Sequence, residues 1–268
     1  MGQLPALWFK NKKAFVTGGT SGIGLEMAKL LVSWECSVIV SGRDEKRLSR
    51  ALDCLNSIRP HSASGLTADL STSAGRNQTI QHLKEHGPID LLINNAGFGV
   101  MEPFASMPAS QISDMIETNI TAVTELTYAL IPLMKGRAGC GILNLGSVAS
   151  FFPTPGSALY GATKFFIRGF SDALHAELKP LGIHVTGLFP GKTLTGFLAR
   201  ATTGKCAQWQ AAMQPGVVAQ AGLGGLMNNR LHVVCSLTDR IMILASSWLP
   251  TEILLSLTGS RISSEIKK

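Results

Sequence analysis

Short β-branched runs recur along this chain, and each is followed by a longer stretch of helical periodicity. Lys13–Thr17, Ser37–Val40, Gly65–Ala68, Ile89–Ile93, Gly141–Leu145 and Ile183–Leu188 read as strands. The stretches Gly24–Val32, Asp44–Ile58, Ser71–His86, 109–134 and Ala158–Leu178 read as helices between and after them. In the last, Leu159, Ala162, Phe166, Phe170 and Leu174 recur at steps of three and four, the helical period. Leu231–Cys235 is a candidate seventh strand. This alternation leaves few topologies. A strand that feeds a helix returns to the sheet by a right-handed crossover, so neighbouring strands are parallel and their C-terminal ends share one edge. We therefore expect an α/β fold, a doubly wound parallel sheet in three layers, with its ligand at the C-terminal edge near the switch in strand order.

Composition supports one large core. Of 268 residues, 45% are hydrophobic and only 15% charged, so apolar material is ample and disorder is excluded. The whole chain, 1–268, reads as a single domain. Cys36, Cys54, Cys140, Cys206 and Cys235 are odd in number and show no C-x-x-C spacing, which suggests buried thiols and no metal framework. Ala6–Phe9 is too short for a secretory apolar core and precedes Lys10, Lys12 and Lys13. No window holds 18 uncharged apolar residues, so a spanning helix is not expected and a cytoplasmic location is. The net charge of +7 is scattered and not interleaved with aromatics, so nucleic acid is not an expected partner.

The unusual residues fall at the C-terminal ends of the expected strands. The first strand runs into Thr17-Gly18-Gly19-Thr20-Ser21-Gly22-Ile23-Gly24 and then a helix. Such a turn lets backbone approach a pyrophosphate, which the helix N-terminus receives with free N–H groups. Further ends carry Ser41-Gly42-Arg43, Ala68-Asp69-Leu70, Asn94-Asn95-Ala96-Gly97, Ser147, and Pro190-Gly191-Lys192-Thr193-Leu194-Thr195. Tyr160 and Lys164, four apart, share one face of a helix. A phenol of pKa about 10 is a poor acid–base group at neutral pH, and a nearby ammonium favours its phenolate.

From Lys13 to Thr195, with six motifs in order, the sequence resembles the short-chain dehydrogenase/reductase family in its compact form. The resemblance implies a Rossmann-type fold and an oxidoreductase acting on a carbonyl or alcohol. It implies a catalytic set of Asn119, Ser147, Tyr160 and Lys164. Tyr160 would exchange the oxygen-bound proton and Ser147, thirteen residues earlier, would orient that oxygen. Lys164 would lower the tyrosine pKa and bind the nicotinamide ribose, and Asn119 would kink its helix and hold a water for proton relay. The implied cofactor residues are Gly18, Thr20, Ser21, Gly22, Ile23, Gly24, Arg43, Asp69, Leu70, Asn95, Ala96, Gly97, Tyr160, Lys164, Pro190, Gly191, Thr193 and Thr195. Asp69 would accept from the adenine amino group, and Thr193 and Thr195 would contact the nicotinamide carboxamide.

Relatives that use NAD(H) carry an acid near the end of the second strand. Here Gly42 stands there and Arg43 follows, and a guanidinium pairs with a 2′-phosphate that a carboxylate would repel. This favours NADP(H) over NAD(H), although Ser21 stands where many NADP-using relatives have a second basic residue. A non-catalytic NADP-binding regulator on the same fold is the alternative, and it fits poorly with a retained Tyr160 and Lys164.

Phe98, Met101, Phe151, Phe152, Phe197, Leu198, Trp209 and Met213 suggest a small hydrophobic carbonyl or alcohol, such as a 3-oxoacyl chain, a steroid-like ketone or an apolar aldehyde. We expect 195–230 to act as a substrate lid and 237–268 to form an apolar helical segment. Within Ile241–Leu257 the only charge is Glu252, so that segment should pack in a homodimer or homotetramer, with contact to a membrane surface as the alternative.

Overall fold

The computed structural model describes residues 3–196 and 212–256. Among them, seven parallel strands form one sheet: β1 (Lys13–Val16), β2 (Ser37–Gly42), β3 (Ala63–Thr67), β4 (Leu91–Asn94), β5 (Cys140–Leu145), β6 (Ile183–Leu188) and β7 (His232–Val233). Their order is β3-β2-β1-β4-β5-β6-β7, so the winding reverses between β1 and β4. Ala14 pairs with Leu91 and Val16 with Ile93 across that junction.

Helices cover both faces, and the alternation of side chains decides which face each strand residue serves. Ala14, Val16, Val38, Val40, Leu91 and Ile93 point to one side. There they meet α1 (Gln3–Phe9), α2 (Gly22–Ser33), α3 (Glu45–Ile58) and α8 (Pro215–Met227). Phe15, Ile39, Leu92, Ile142 and Val185 point to the other. They meet α4 (Ser73–Glu85), α6 (Ala122–Met134) and α7 (Ala158–Leu178). Each fully buried aliphatic or aromatic side chain contributes about 1.5–3 kcal/mol of burial.

Several elements differ from expectation. The helix expected over 109–134 is two helices, α5 (Ala109–Ile116) and α6, joined by one π-helical turn at Glu117–Thr121. Buried Arg76 of α4 braces this turn, bridging Glu117 and Glu125 at 2.8 Å each. α1 was not expected: its Phe9 is fully buried against the core and stacks on Trp34. Part of the lid expected over 195–230 is instead core, because α8 buries Val218, Ala219, Leu223 and Leu226. A helix of such residues gains more against the sheet than over a mouth.

β7 is only two residues long, against five expected. After it, Ser236 accepts from the backbone N–H of Asp239 and caps α9 (Leu237–Trp248), and 251–256 are helical again. Among the described residues no helix is long and apolar enough to cross a membrane. Cys36, Cys54, Cys140 and Cys235 are free thiols, of which Cys36 and Cys140 are buried; Cys206, Phe197, Leu198 and Trp209 lie outside the described residues.

Candidate active site

A cleft of about 670 Å³ opens along the C-terminal edge of the sheet, over the β1–β4 junction. One end is built by the turn after β1. Gly18 and Gly22 have φ of +62° and +56°, a conformation that favours glycine. A side chain on Gly18 would meet the Cα of Ala96 at 3.0 Å. Ser21 precedes α2 without capping it by its side chain, so the first N–H groups of that helix face the cleft beside Gly18, Thr20, Gly22 and Ile23. This cradle fits a pyrophosphate. Gly24 does not line it: the residue is buried, and a Cβ there would collide with the Asn95 amide, so its role is packing.

Thr17 and Asn95 lock the cradle to β4. The Thr17 hydroxyl accepts from the backbone N–H of Asn95 and of Ala96, both at 2.9 Å. The Asn95 amide donates to the carbonyls of Thr17 and Gly18 at 2.9 and 3.1 Å. Asn94 turns inward and donates to Asn144 at 2.8 Å, and Asn144 donates to Ser171 at 3.0 Å. Amide ladders of this kind satisfy groups that would be costly if buried unpaired. Ala96 and Gly97 line the cleft with Asn95.

The wall after β2 holds Gly42, Arg43, Asp44 and Arg47. A Cβ at Gly42 would meet the Thr20 side-chain methyl at 2.6 Å, so a larger residue at 42 requires the Thr20 side chain to move. The Asp44 carboxylate is engaged as the cap of α3, accepting from the Arg47 N–H at 3.0 Å, and that bond holds its pKa below the ordinary value. Arg47 was missed by sequence reasoning, which looked for a second cation before Gly22 and not in the first turn of α3. Asp69 and Leu70 line the next wall, but Asp69 Oδ1 already accepts from the Ser71 N–H and hydroxyl at 3.0 and 2.8 Å.

At the other end stand Ser147, Tyr160 and Lys164, with Pro190, Gly191, Lys192, Thr193 and Thr195. Ser147 follows β5 and opens a 3-10 turn, Val148–Ser150, in a reciprocal cap with Ser150. Ser147 hydrogen-bonds the Tyr160 hydroxyl. Gly99 lies under the Tyr160 ring, where a Cβ would come within 2.5 Å. Burial pushes the Tyr160 phenol up to about 12, with the Ser147 bond opposing it. Burial also brings the Lys164 ammonium down to about 8. Lys164 Nζ donates to the Leu145 carbonyl at 2.8 Å and sits 5.7 Å from the Tyr160 ring centre. Burial thus sets the Tyr160 phenol in the protein alone, and the group that opposes it is Ser147, not Lys164.

Asn119 lies in the π-turn and does not line the cleft; Thr118 does. Its side chain accepts from the Phe98 N–H at 3.1 Å and donates to the Phe98 carbonyl and Thr163 hydroxyl at 2.9 and 3.1 Å. It therefore clamps the chain after Gly97 onto the helix of Tyr160. Thr193 and Met213 form a bridge that joins the two ends of the segment outside the described residues. Phe98 and Met101 line the cleft as expected for substrate contacts, with Gly99, Val100 and Thr154, which the sequence did not single out. Phe151 and Phe152 do not; Phe151 packs behind the Ser147 turn against Phe189. Among the described residues no group of acidic, cysteine and histidine side chains could hold a metal ion.

A family model described as short chain dehydrogenase matches residues 12–205. Sulfoacetaldehyde reductase 2 of Chromohalobacter salexigens is 35% identical over 193 residues, covering 70% of this chain and 75% of that protein. The 3alpha-hydroxysteroid dehydrogenase of Mediterraneibacter gnavus is 32% identical over 195 residues, covering 72% and 78%. A short-chain dehydrogenase from Sphingobium yanoikuyae, solved in complex with NADPH, superimposes with a TM-score of 0.80 at 31% identity, covering 88% of this chain and 93% of that one.

Proposed function

Since this chain belongs to the short chain dehydrogenase family and is an oxidoreductase of that family's nicotinamide-dependent kind, we propose that it is an NADP(H)-dependent enzyme interconverting a carbonyl compound and its alcohol. The observation that carries the reading is the cleft itself, with the glycine cradle at one end and the Ser147–Tyr160–Lys164 group at the other. When bound, the nicotinamide supplies or receives the hydride.

Each side chain then has a defined task. Tyr160, protonated at neutral pH, donates its proton to the carbonyl oxygen during reduction. Ser147 hydrogen-bonds the same oxygen and fixes it opposite the tyrosine. The phenolate left behind is strongly basic in its buried setting, and Lys164, with its pKa near 8, is a proton source for it at neutral pH. Asn119 keeps the Phe98 chain and the Tyr160 helix in fixed relation. Reversal of these steps oxidises the alcohol.

Arg43 and Arg47 support the choice of NADP(H). They supply two guanidinium groups at the ribose end, while Gly42 leaves no carboxylate there to repel a 2′-phosphate. Titration of the protein with NADPH and NADH should show tighter binding of NADPH, and Arg43→Asp should weaken NADPH and improve NADH. Tighter binding of NADH by the unaltered protein refutes this preference.

Phe98, Val100, Met101, Val148 and Ala149 favour a hydrophobic substrate. The exposed apolar residues of α9 favour a homodimer, since Leu237, Ile241, Leu244 and Trp248 recur at steps of three and four along one face of the helix and are all open to water.

A further inference from the structure

Arg168 and Asp172 continue, at steps of four, the face of α7 that carries Tyr160 and Lys164. Neither touches the cleft. They join a cluster that does not belong to either hydrophobic core. His232 of β7 donates from Nε2 to Asp172 Oδ1 at 2.6 Å; a carboxylate only accepts, so this nitrogen carries the proton. Arg168 Nε lies 3.8 Å from Asp172 Oδ2, and its guanidinium sits 4.3 Å over the Phe151 ring. The His232 ring stands edge-on to Phe151 at 5.8 Å and to Phe189 at 5.1 Å. Phe151 and Phe189 meet edge-on at 5.0 Å.

These two aromatics are the backing of the Ser147 turn. Phe151 ends the Val148–Ser150 turn that Ser147 caps. Phe189 is fully buried and fills the space left by two glycines: a Cβ on Gly146 would strike its ring, and one on Gly187 would reach it at 2.6 Å. Gly146 immediately precedes Ser147. The backbone around them is tied to the same strand: the Gly146 N–H donates to Leu188 O at 2.8 Å, and the Val148 N–H to Pro190 O at 3.1 Å. A continuous line of contact thus runs from Asp172 through His232 and Arg168 to Phe151 and Phe189, and on to Ser147.

We propose that Asp172 and His232 form a positioning pair that sets the Ser147 hydroxyl against Tyr160. The pair fixes the His232 edge and the Arg168 plane, which hold the Phe151–Phe189 wedge under Gly146 and Ser147. Its consequence for rate rests on the reductase reading above; its structural claim does not. The partners are a third exposed, so the ion pair itself contributes little to stability. What it supplies is direction, and displacement of a catalytic group by about 1 Å costs up to a hundredfold in rate.

The chain has two tyrosines, exposed Tyr128 and half-buried Tyr160 in the cleft, which makes the test selective. With 13C at the tyrosine Cζ, the Tyr160 resonance reports its hydrogen bond and Tyr128 serves as the internal control. Ser147→Ala defines the shift for a lost Ser147 bond. Asp172→Leu and His232→Leu should move the Tyr160 resonance at least partway toward that position and leave Tyr128 in place. Asp172→Asn, which keeps one acceptor for His232, should move it less. In carbonyl reduction, the two leucine variants should lose about tenfold in kcat while the NADPH Kd stays unchanged. A Tyr160 resonance at the unaltered position in folded His232→Leu or Asp172→Leu overturns the pair, and should neither fold, an unmoved resonance in Asp172→Ala, which removes both acceptors at a partly exposed site, overturns it equally. Absence of carbonyl turnover in the unaltered protein would instead count against the reductase reading, with the resonance still deciding the pair.

Discussion

At the scale of the residue, burial governs the chemistry of the cleft. Lys164 has its pKa lowered from 10.5 to about 8, so the folded protein holds this proton less tightly than the unfolded chain. Between pH 8 and 10.5 the unfolded state binds more protons, and the Lys164 contribution to stability therefore rises with pH across that window. Denaturation of the unaltered protein and of Lys164→Met at pH 7 and pH 10.5 should show the difference moving by about 2–3 kcal/mol in favour of the unaltered protein at the higher pH. A difference independent of pH would mean that the lysine is not desolvated. The identities of Ser147, Tyr160 and Lys164 were legible in the sequence because their spacing and their strand-end and helix positions are local facts. The dominance of burial at Tyr160 was not, since it depends on what the sheet and Gly99 bring around the ring. Arg47 and the Asn119 clamp were likewise hidden, because each acts on a segment distant in sequence or on a turn whose geometry the helix cap decides.

At the scale of the element, strands were easier to read than the segments between them. Ile183–Leu188 appears with the expected bounds, for Gly182, at φ +73°, turns the chain just before it and Pro190 follows it. α8 was hidden for the opposite reason: its glycines, at Gly216, Gly222, Gly224 and Gly225, mimic a loop. Gly222 and Gly225 are there because Leu188 and Val233 occupy the space of a Cβ. The same logic couples α9 to the nicotinamide end. A Cβ on Gly191 would strike the Asp239 carboxylate in the first turn of α9, whose own pKa burial raises. Gly191→Ala should therefore destabilise the protein by about 1–3 kcal/mol. Adding Asp239→Ala should return part of that loss, giving a favourable coupling in a double-mutant cycle. Strictly additive effects would show that α9 does not press on this turn.

At the scale of the whole molecule, the alternation of strands and helices dictated parallel strands with their C-terminal ends on one edge, and the reversal between β1 and β4 placed the cleft on it. What lay beyond the sequence was how the last helices sit: Trp248 is 83% exposed and Leu237 70%, an apolar face that is open among the described residues. Light scattering on detergent-free protein should give the mass of two or four chains, and a stable monomer would exclude the homodimer as its cover. The central claim concerns the cleft. Tyr160→Phe keeps the ring over Gly99 and removes the one proton donor to the carbonyl oxygen. The direct measurement is carbonyl-dependent NADPH consumption by the unaltered protein and by Tyr160→Phe, beside the NADPH Kd of each. The account predicts turnover by the unaltered protein, and in the variant an unchanged Kd with kcat lower by about a hundredfold or more. Near-normal turnover by Tyr160→Phe would contradict it.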